Sequence, residues 1–470
     1  MEKGEDVVPM GVGPKPYKFG PISIPNYHSP MAQILVVSFV SFLCPGMYNA
    51  LTGLGGGGQV VPTTQDNASV ALYATFAVFA FCSGTICNYL GVAVTLAVGG
   101  FGYFLYAAAF LSYNFNQNSG FVIFAGALTG FCAGCLWCAQ GVVCMSYPHE
   151  EAKGRAIGIF WAIFNVGAVI GSIIPLGENF HSTTNTVTNG TYIAFMVLMF
   201  AGFVLAFFLL PADKIVRNDG SKVENVIHPG LLSDIKGLYR TLIAEPWIIA
   251  LFPLFWSSNW FLTYQSNDYN APLFTLRARS LNSLLYFFMQ IIIALTFGTL
   301  LDVKRWSRKV RAYTGWAAIM ILTCAVWGGG TAVLVKTSRG QVFDRIDIYS
   351  GDYFVHLLLY MCYGLMDAAY QIYIYWVMGA LTNDSRKMAY FAGYYKGIQS
   401  AGAAVVWRLD AIMVSYAGIF GSSWGLMVIG LIFTLPVLVL RLRVTEEVSE
   451  GDIVEIKDGI EVITHTNVTK

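Results

Sequence analysis

An all-α bundle of about twelve membrane-spanning helices, arranged as two pseudo-repeats of six, is the fold this sequence predicts. Three observations predict it. Twelve apolar stretches of about twenty residues run from Ala32 to Leu440 between short polar breaks. At 1.5 Å per residue, each is long enough to cross a hydrocarbon core of ~30 Å. The chain is 56% hydrophobic and 12% charged, whereas soluble domains carry about 25% charged residues. With a mean hydropathy of +0.58, it has too little charge to solvate a globular surface over its length. Finally, one long polar break, 211–245, cuts the apolar series into two sets of six.

Residues 1–31 are polar and rich in Pro and Gly, with no apolar segment that could serve as a cleaved leader. They read as a disordered cytoplasmic tail. The first half, 32–210, holds spans at Ala32–Leu54, Ala68–Leu90, Gly91–Tyr113, Phe121–Met145, Ala156–Leu176 and Tyr192–Leu210. A cytoplasmic linker follows at 211–245. The second half, 246–440, holds spans at Pro246–Gln265, Leu281–Leu301, Tyr313–Val335, Tyr353–Leu381, Ala389–Trp407 and Gly418–Leu440, and 441–470 form a second cytoplasmic tail.

With both termini cytoplasmic, 21 of the 28 Lys and Arg fall on the cytoplasmic side, the asymmetry expected of a multi-pass protein. The same topology leaves the sequons at Asn67 and Asn189 available as glycosylation sites, and those at Asn383 and Asn467 inside. The basic residues form no stripe, so no nucleic-acid partner is implied. Cys132, Cys135, Cys138 and Cys144 lie within one span without the spacing of a four-Cys metal cluster, and read as packing residues. No cofactor or metal is expected.

Two catalytic-looking patterns fail on context. Gly53–Gly58 matches G-x-G-x-x-G without a preceding strand. Gly421-Ser-Ser423-Trp-Gly425 matches a hydrolase elbow without a sheet to carry it. The chain is therefore not read as an enzyme. Gly126, Gly130 and Gly134, then Gly167 and Gly171, then Gly393, Gly397 and Ala401, recur every four residues and predict close helix crossings.

Functional candidates are the ionisable and polar groups inside spans, since a charge in hydrocarbon is costly unless a partner or a watery cavity receives it. Asp367 and Lys396 are the clearest, and an ion pair between them is expected. Tyr363, Asp367, Tyr370 and Gln371 share a helix face at three- and four-residue spacing. Asn49 in the first span and Gln140 in the fourth are further cavity candidates. Weaker ones are Asn165, Asn259, Gln265 and Gln290, and His356 reads as interfacial. For each of these groups the alternative is a buried structural hydrogen bond.

The halves carry a repeated signature: Gly84-Thr-Ile-Cys-Asn88-Tyr-Leu-Gly91 after the second span, and Gly298-Thr-Leu-Leu-Asp302-Val-Lys-Arg305 after the eighth. Both read G-T-x-x-(N/D). This resembles the loop motif G-x-x-x-D-x-x-G with trailing basic residues of the major facilitator superfamily. The resemblance implies an inner-loop gating role for Gly84, Asn88, Gly91, Gly298, Asp302 and Arg305. Asn88 replaces the family's acid, and the basic residues after Gly91 are missing. Together with Ala392-Gly-Tyr-Tyr-Lys396-Gly-Ile-Gln399, Tyr48–Gly58, Met145–Arg155 and Trp327–Gly330, the chain is similar to the fungal branch of the unc-ninety-three-like family over nearly all twelve spans.

The resemblance implies a membrane transporter that moves a small solute by alternating access. The alternative it implies is a non-transporting regulator or trafficking partner of another membrane protein. The expected partners are the lipid bilayer, an unknown small solute and, in the alternative, a second membrane protein.

Overall fold

The computed structural model describes residues 16–19, 22–59, 62–148, 153–181, 186–217, 219–223, 231–301, 303, 305–341, 344–381, 385–442, 453–457 and 460–464. Six spanning helices make the first half: α1 (Pro30–Gly53), α2 (Thr63–Phe79 with Ser83–Leu90), α3 (Val92–Asn116), α4 (Ser119–Ser146), α5 (Lys153–Glu178) and α6 (Asn189–Ala206). A linker helix, α7 (Leu231–Ala244), follows. The second half is α8 (Pro246–Leu273), α9 (Leu276–Leu301), α10 (Arg308–Leu334), α11 (Tyr353–Leu381), α12 (Ser385–Ala411) and α13 (Tyr416–Arg441). Short antiparallel hairpins, β1 (Tyr17–Phe19) with β2 (Ile22–Ile24) and β3 (Ile453–Lys457) with β4 (Ile460–Thr464), lie in the terminal tails.

Eight of these helices are individually long and apolar enough to cross a membrane, and two bent pairs raise the number to ten. The other two, α11 and α12, are 29 and 27 residues long. They carry Asp367, Lys396 and several tyrosines and glutamines in place of part of the apolar surface.

Each half has its own core. The first gathers buried residues such as Val40, Met47, Tyr106, Leu136, Phe160 and Tyr192. The second gathers Phe255, Tyr264, Trp327, Tyr363, Tyr370 and Phe420. Between the halves, α2 packs along α12 and α5 along α9. The start of α1, the linker helix α7 and the end of α13 lie at one face of the bundle, the linker face; the opposite face is called the far face below.

Helix starts are sealed by side chains that accept the first free backbone N–H groups. Asn118 Oδ1 accepts from Phe121 N at 3.3 Å, and Ser307 Oγ from Val310 N at 3.3 Å. Two helices depart from regular geometry. Helix α1 carries a π-turn at Phe42–Gly46 around Pro45, which cannot supply a helical N–H. Helix α8 changes from a 3-10 start at Pro246–Leu251 to a π-helix at Tyr264–Asn270. Helix α7 meets α8 at 96°. Its exposed Leu232, Ile235, Tyr239 and Ile243 recur on one face, the pattern of a helix lying in a membrane interface.

The glycine stripes act as expected on two of three helices. A Cβ at Gly126 would sit 2.3 Å from Ala68 O, and one at Gly130 2.1 Å from Leu72 O, so α4 crosses α2 backbone to backbone. At Gly167 the obstruction is Phe42 O at 2.6 Å. In α12 the close approach falls instead at Gly402, 2.5 Å from Trp256 O, while Gly393 has ordinary room.

We expect Gly130→Ala to lower the stability of the purified protein by about 1–3 kcal/mol, the usual cost of overpacking. Gly141→Ala, on the same helix with open space around it, is expected to leave thermal unfolding unchanged. Equal melting temperatures for the two variants would contradict this packing.

Candidate functional site

Asp367, on α11, is buried and its carboxylate is fully engaged by neutral donors. Tyr286 Oη and Gln290 Nε2, both on α9, donate to Oδ2 at 2.8 and 2.7 Å. Gln371 Nε2, one turn along α11, donates to Oδ1 at 2.7 Å. Four-residue spacing puts Asp367 and Gln371 on neighbouring turns of one face, and α9 packs along that face. Gln265 in the π-helix extends the network, its amide lying 2.8 Å from Tyr286 Oη.

Lys396, on α12, does not make the expected ion pair. Its ammonium donates to Gln399 Oε1 at 2.9 Å and lies over the rings of Tyr395 and Tyr375, 4.8 and 5.6 Å from their centroids. A relay joins the two charges: Tyr395 Oη donates to Gln371 Oε1 at 3.4 Å, and Gln399 Nε2 donates to Tyr395 Oη at 3.0 Å. Gln399 also donates to Ser258 Oγ and Asn259 Oδ1, at 2.9 and 3.1 Å, on the broken helix α8. The physical reason is supply. Three uncharged donors already saturate Asp367, and a lysine stem in the membrane interior can rest its head on aromatic faces.

The first half contributes the opposite wall. Trp161 on α5 meets Tyr375 with ring centroids 6.4 Å apart, and stacks on Trp137 of α4 at 6.0 Å. Tyr73 on α2 lies within electrostatic reach of Asp367. A charged, amide-rich and aromatic site therefore sits where the halves meet, the position at which transporters of this architecture place a solute.

The other expected residues lie elsewhere. Tyr363 packs on Trp327 and Tyr269 inside the second-half core, with its hydroxyl buried and unpartnered. Tyr370 Oη pairs with Ser257 Oγ at 2.8 Å in the same core. Asn49 is half-buried beside Tyr48, and Gln140 lies beside Cys144. Asn67 accepts from Arg408 of α12 at 3.2 Å, so a glycan there would have to part the halves. Asn189 is exposed at the start of α6.

Among the inner-loop residues, Gly91 ends the bent α2 at φ +76, and Gly84 lies just past the bend. Asn88 and Arg305 are exposed. Gly298 has open space around it rather than a close helix contact, and Asp302 lies outside the described residues. Arg308 donates to Ala380 O at the end of α11 at 3.4 Å.

A second polar constellation was not foreseen. At the far face, Arg279 of α9 is fully buried and donates to Leu54 O at 2.8 Å and Gly55 O at 2.6 Å. Asn270 Nδ2 reaches Gly53 O at 3.1 Å, and Gly56 N donates to Asn267 Oδ1 at 2.9 Å. Gly55 must be glycine here. Its φ is +75, and a Cβ would sit 2.2 Å from Ser266 O. Asn267 then donates to Asp66 Oδ1 of α2 at 2.6 Å and to Asp410 Oδ2 of α12 at 2.9 Å. Arg339, from the α10–α11 loop, binds Asp268 at 2.7 Å and also Asp410.

Beside this clasp the same loop is pinned by Asp347. Thr275 Oγ1 and Arg277 Nε donate to it at 2.7 and 2.6 Å, and the Arg277 guanidinium holds its carboxyl down to about 2.

Comparison with known proteins agrees with this architecture. The Major Facilitator Superfamily model matches residues 31–340. A UNC93-like protein of Schizosaccharomyces pombe is 47% identical over 440 residues, covering 93% of this chain and 87% of that protein. UNC93-like protein 1 of Arabidopsis thaliana is 40% identical over 423 residues, covering 88% and 90%. Among solved structures, a D-xylose-proton symporter superposes with a TM-score of 0.60 at 11% identity, over 88% of this chain and 98% of that one. That likeness concerns the fold alone.

The geometry sets the strength of coupling within the site. Asp367→Asn and Gln371→Leu, which touch, are expected to be non-additive in unfolding free energy by about 1 kcal/mol, and Asp367→Asn and Lys396→Met to add within about 0.5 kcal/mol. A larger coupling to Lys396 than to Gln371, measured by double-mutant cycles in detergent, would mean a direct ion pair.

Proposed function

The chain belongs to the Major Facilitator Superfamily and, within it, to the UNC93-like proteins; on that premise we propose that it carries a small solute across a bilayer by alternating access. The solute carries an anionic group. The observation behind this reading is Lys396, an ammonium between the two halves whose partners are an amide oxygen and two phenol rings. A cation so held has no carboxylate to displace. A carboxylate, phosphate or sulfonate arriving beside it gains a charge-assisted hydrogen bond of about 1.5–3 kcal/mol. Gln399, Asn259 and Ser258 can orient the rest of the molecule, and Trp161 and Tyr375 can cover its apolar part.

Asp367 has a different role. Saturated by three donors, it fixes α9 against α11 and sets the field at the site without binding the solute. The clasp holds the far face shut in this state. Asn88, which stands where the family's loop motif has an acid, favours a second reading as a regulator of another membrane protein.

Uptake by the purified protein in liposomes separates the two. Given a panel of anionic, neutral and cationic solutes, we expect flux of an anionic class, and a loss of about tenfold or more in Lys396→Gln at unchanged melting temperature. Flux indifferent to Lys396→Gln would remove the anion reading. No flux of any solute would favour the regulator.

A further inference from the structure

The far-face clasp holds an imbalance of charge that its hydrogen bonds do not resolve. Three carboxyl groups, Asp66, Asp268 and Asp410, are buried together and face a single guanidinium, that of Arg339. Asn267 Nδ2 bridges Asp66 Oδ1 and Asp410 Oδ2, at 2.6 and 2.9 Å, and the Arg339 guanidinium bridges Asp410 and Asp268, so the three carboxyl groups lie side by side. One cation balances one carboxylate, and like charges this close in a buried site do not all ionise. Asp268 Oδ2 is itself buried, with no partner. The cluster's other neighbours are uncharged: Asn267, the ring of Tyr416 under Arg339 at 4.7 Å, and Tyr264. Two further cations belong to this face: Arg279 is buried and donates to Leu54 O and Gly55 O, and Arg408 is exposed and engaged with Asn67. Among the described residues, no group of His, Cys, Asp or Glu has the arrangement of a metal site.

We propose that this cluster is a proton-binding latch between the two halves. Arg339 balances one negative charge, and Asp66 and Asp268 carry a proton each while the far face is shut. Asp66 belongs to the first half and the other members to the second, so parting the halves exposes the acids to water, where they release their protons. Closure takes protons back from the same side. Ionising both acids with the face shut would place two uncompensated negative charges in a buried site, which opening relieves. Low pH therefore favours the shut far face and high pH the open one. The proposal rests on the cluster's geometry and not on the identity of any solute.

Distances between spin labels test it. Asn116→Cys and Ile412→Cys, both exposed at the far face on different halves, are labelled in a background with Cys324→Ser, in protein reconstituted in nanodiscs. We expect a single short distance at pH 5.5 and a longer population that grows toward pH 8.5, steepening by about a factor of ten per pH unit for each proton released. Asp66→Asn with Asp268→Asn, whose amides are neutral at every pH, should keep the short distance throughout. That short distance also reports that the variant is folded.

A wild-type distance independent of pH overturns the latch, as does a double variant that opens with pH as the wild type does. The measurement at pH 8.5 is repeated in sodium, calcium and N-methylglucamine salts. Closure restored by sodium or calcium alone would make the occupant a metal cation and reject the proton.

Discussion

The guanidinium of Arg279, buried between the halves, is the contact on which the far face depends. A buried cation is tolerated only when its N–H groups are received, and here backbone carbonyls of Leu54 and Gly55 receive them. Those carbonyls are presented because the chain leaves α1 through glycines at positive φ, a path that side chains would block at Ser266 O and at Phe110. The same loop is fixed from its own half: Tyr192 Oη donates to Gly57 O at 2.6 Å, and Val187 N donates to Gly58 O at 3.0 Å. One short segment is thus held by both halves. Its seating puts Asn267 within reach of Asp66, which brings the acids together.

The π-helix in α8 follows from the same requirement. Seven consecutive residues, Tyr264–Asn270, are all buried, and wider winding lets Gln265, Asn267, Asp268 and Asn270 face different partners within two turns. A regular helix would send some of these polar side chains into hydrocarbon. Irregular winding at membrane depth is acceptable only where such groups are paired inside the protein.

Much of the fold was legible because hydrocarbon imposes a length and a composition: the expected span Tyr353–Leu381 coincides with α11, and Gly418–Leu440 lies within α13. The clasp was not legible for the same reason. Windows that favour apolar residues stopped at Ala68, Gln265, Leu281 and Trp407. Asp66, Asp268, Arg279 and Asp410 each lie two or three residues beyond those limits, inside the helices of the structure. Arg339, in a loop, carried no signal. Of the intramembrane charges, Asp367 is buried and Lys396 half-buried between helices. Their partners are amides and phenols, which no charge-pairing argument selects. Tyr363 and Tyr370 share the helix face by spacing, but rotation about α11 turns them into the second half's own core.

In the proposed transport cycle the clasp and the central site divide the work. The clasp closes the far face through contacts that exist only when the halves meet, and the central site lies between them at Lys396. The claim that the halves part and rejoin around Lys396 is tested most directly by tethering them. Asn67 and Arg408 hydrogen-bond across the far face at 3.2 Å, so cysteines at both positions can be bridged with the clasp shut by a bis-maleimide whose spacer contains a disulfide and spans the length of the arginine side chain. In liposomes that sustain solute flux, cross-linking should stop it and reduction restore it, with the melting temperature unchanged or raised. Undiminished flux with the cross-link in place would contradict the account.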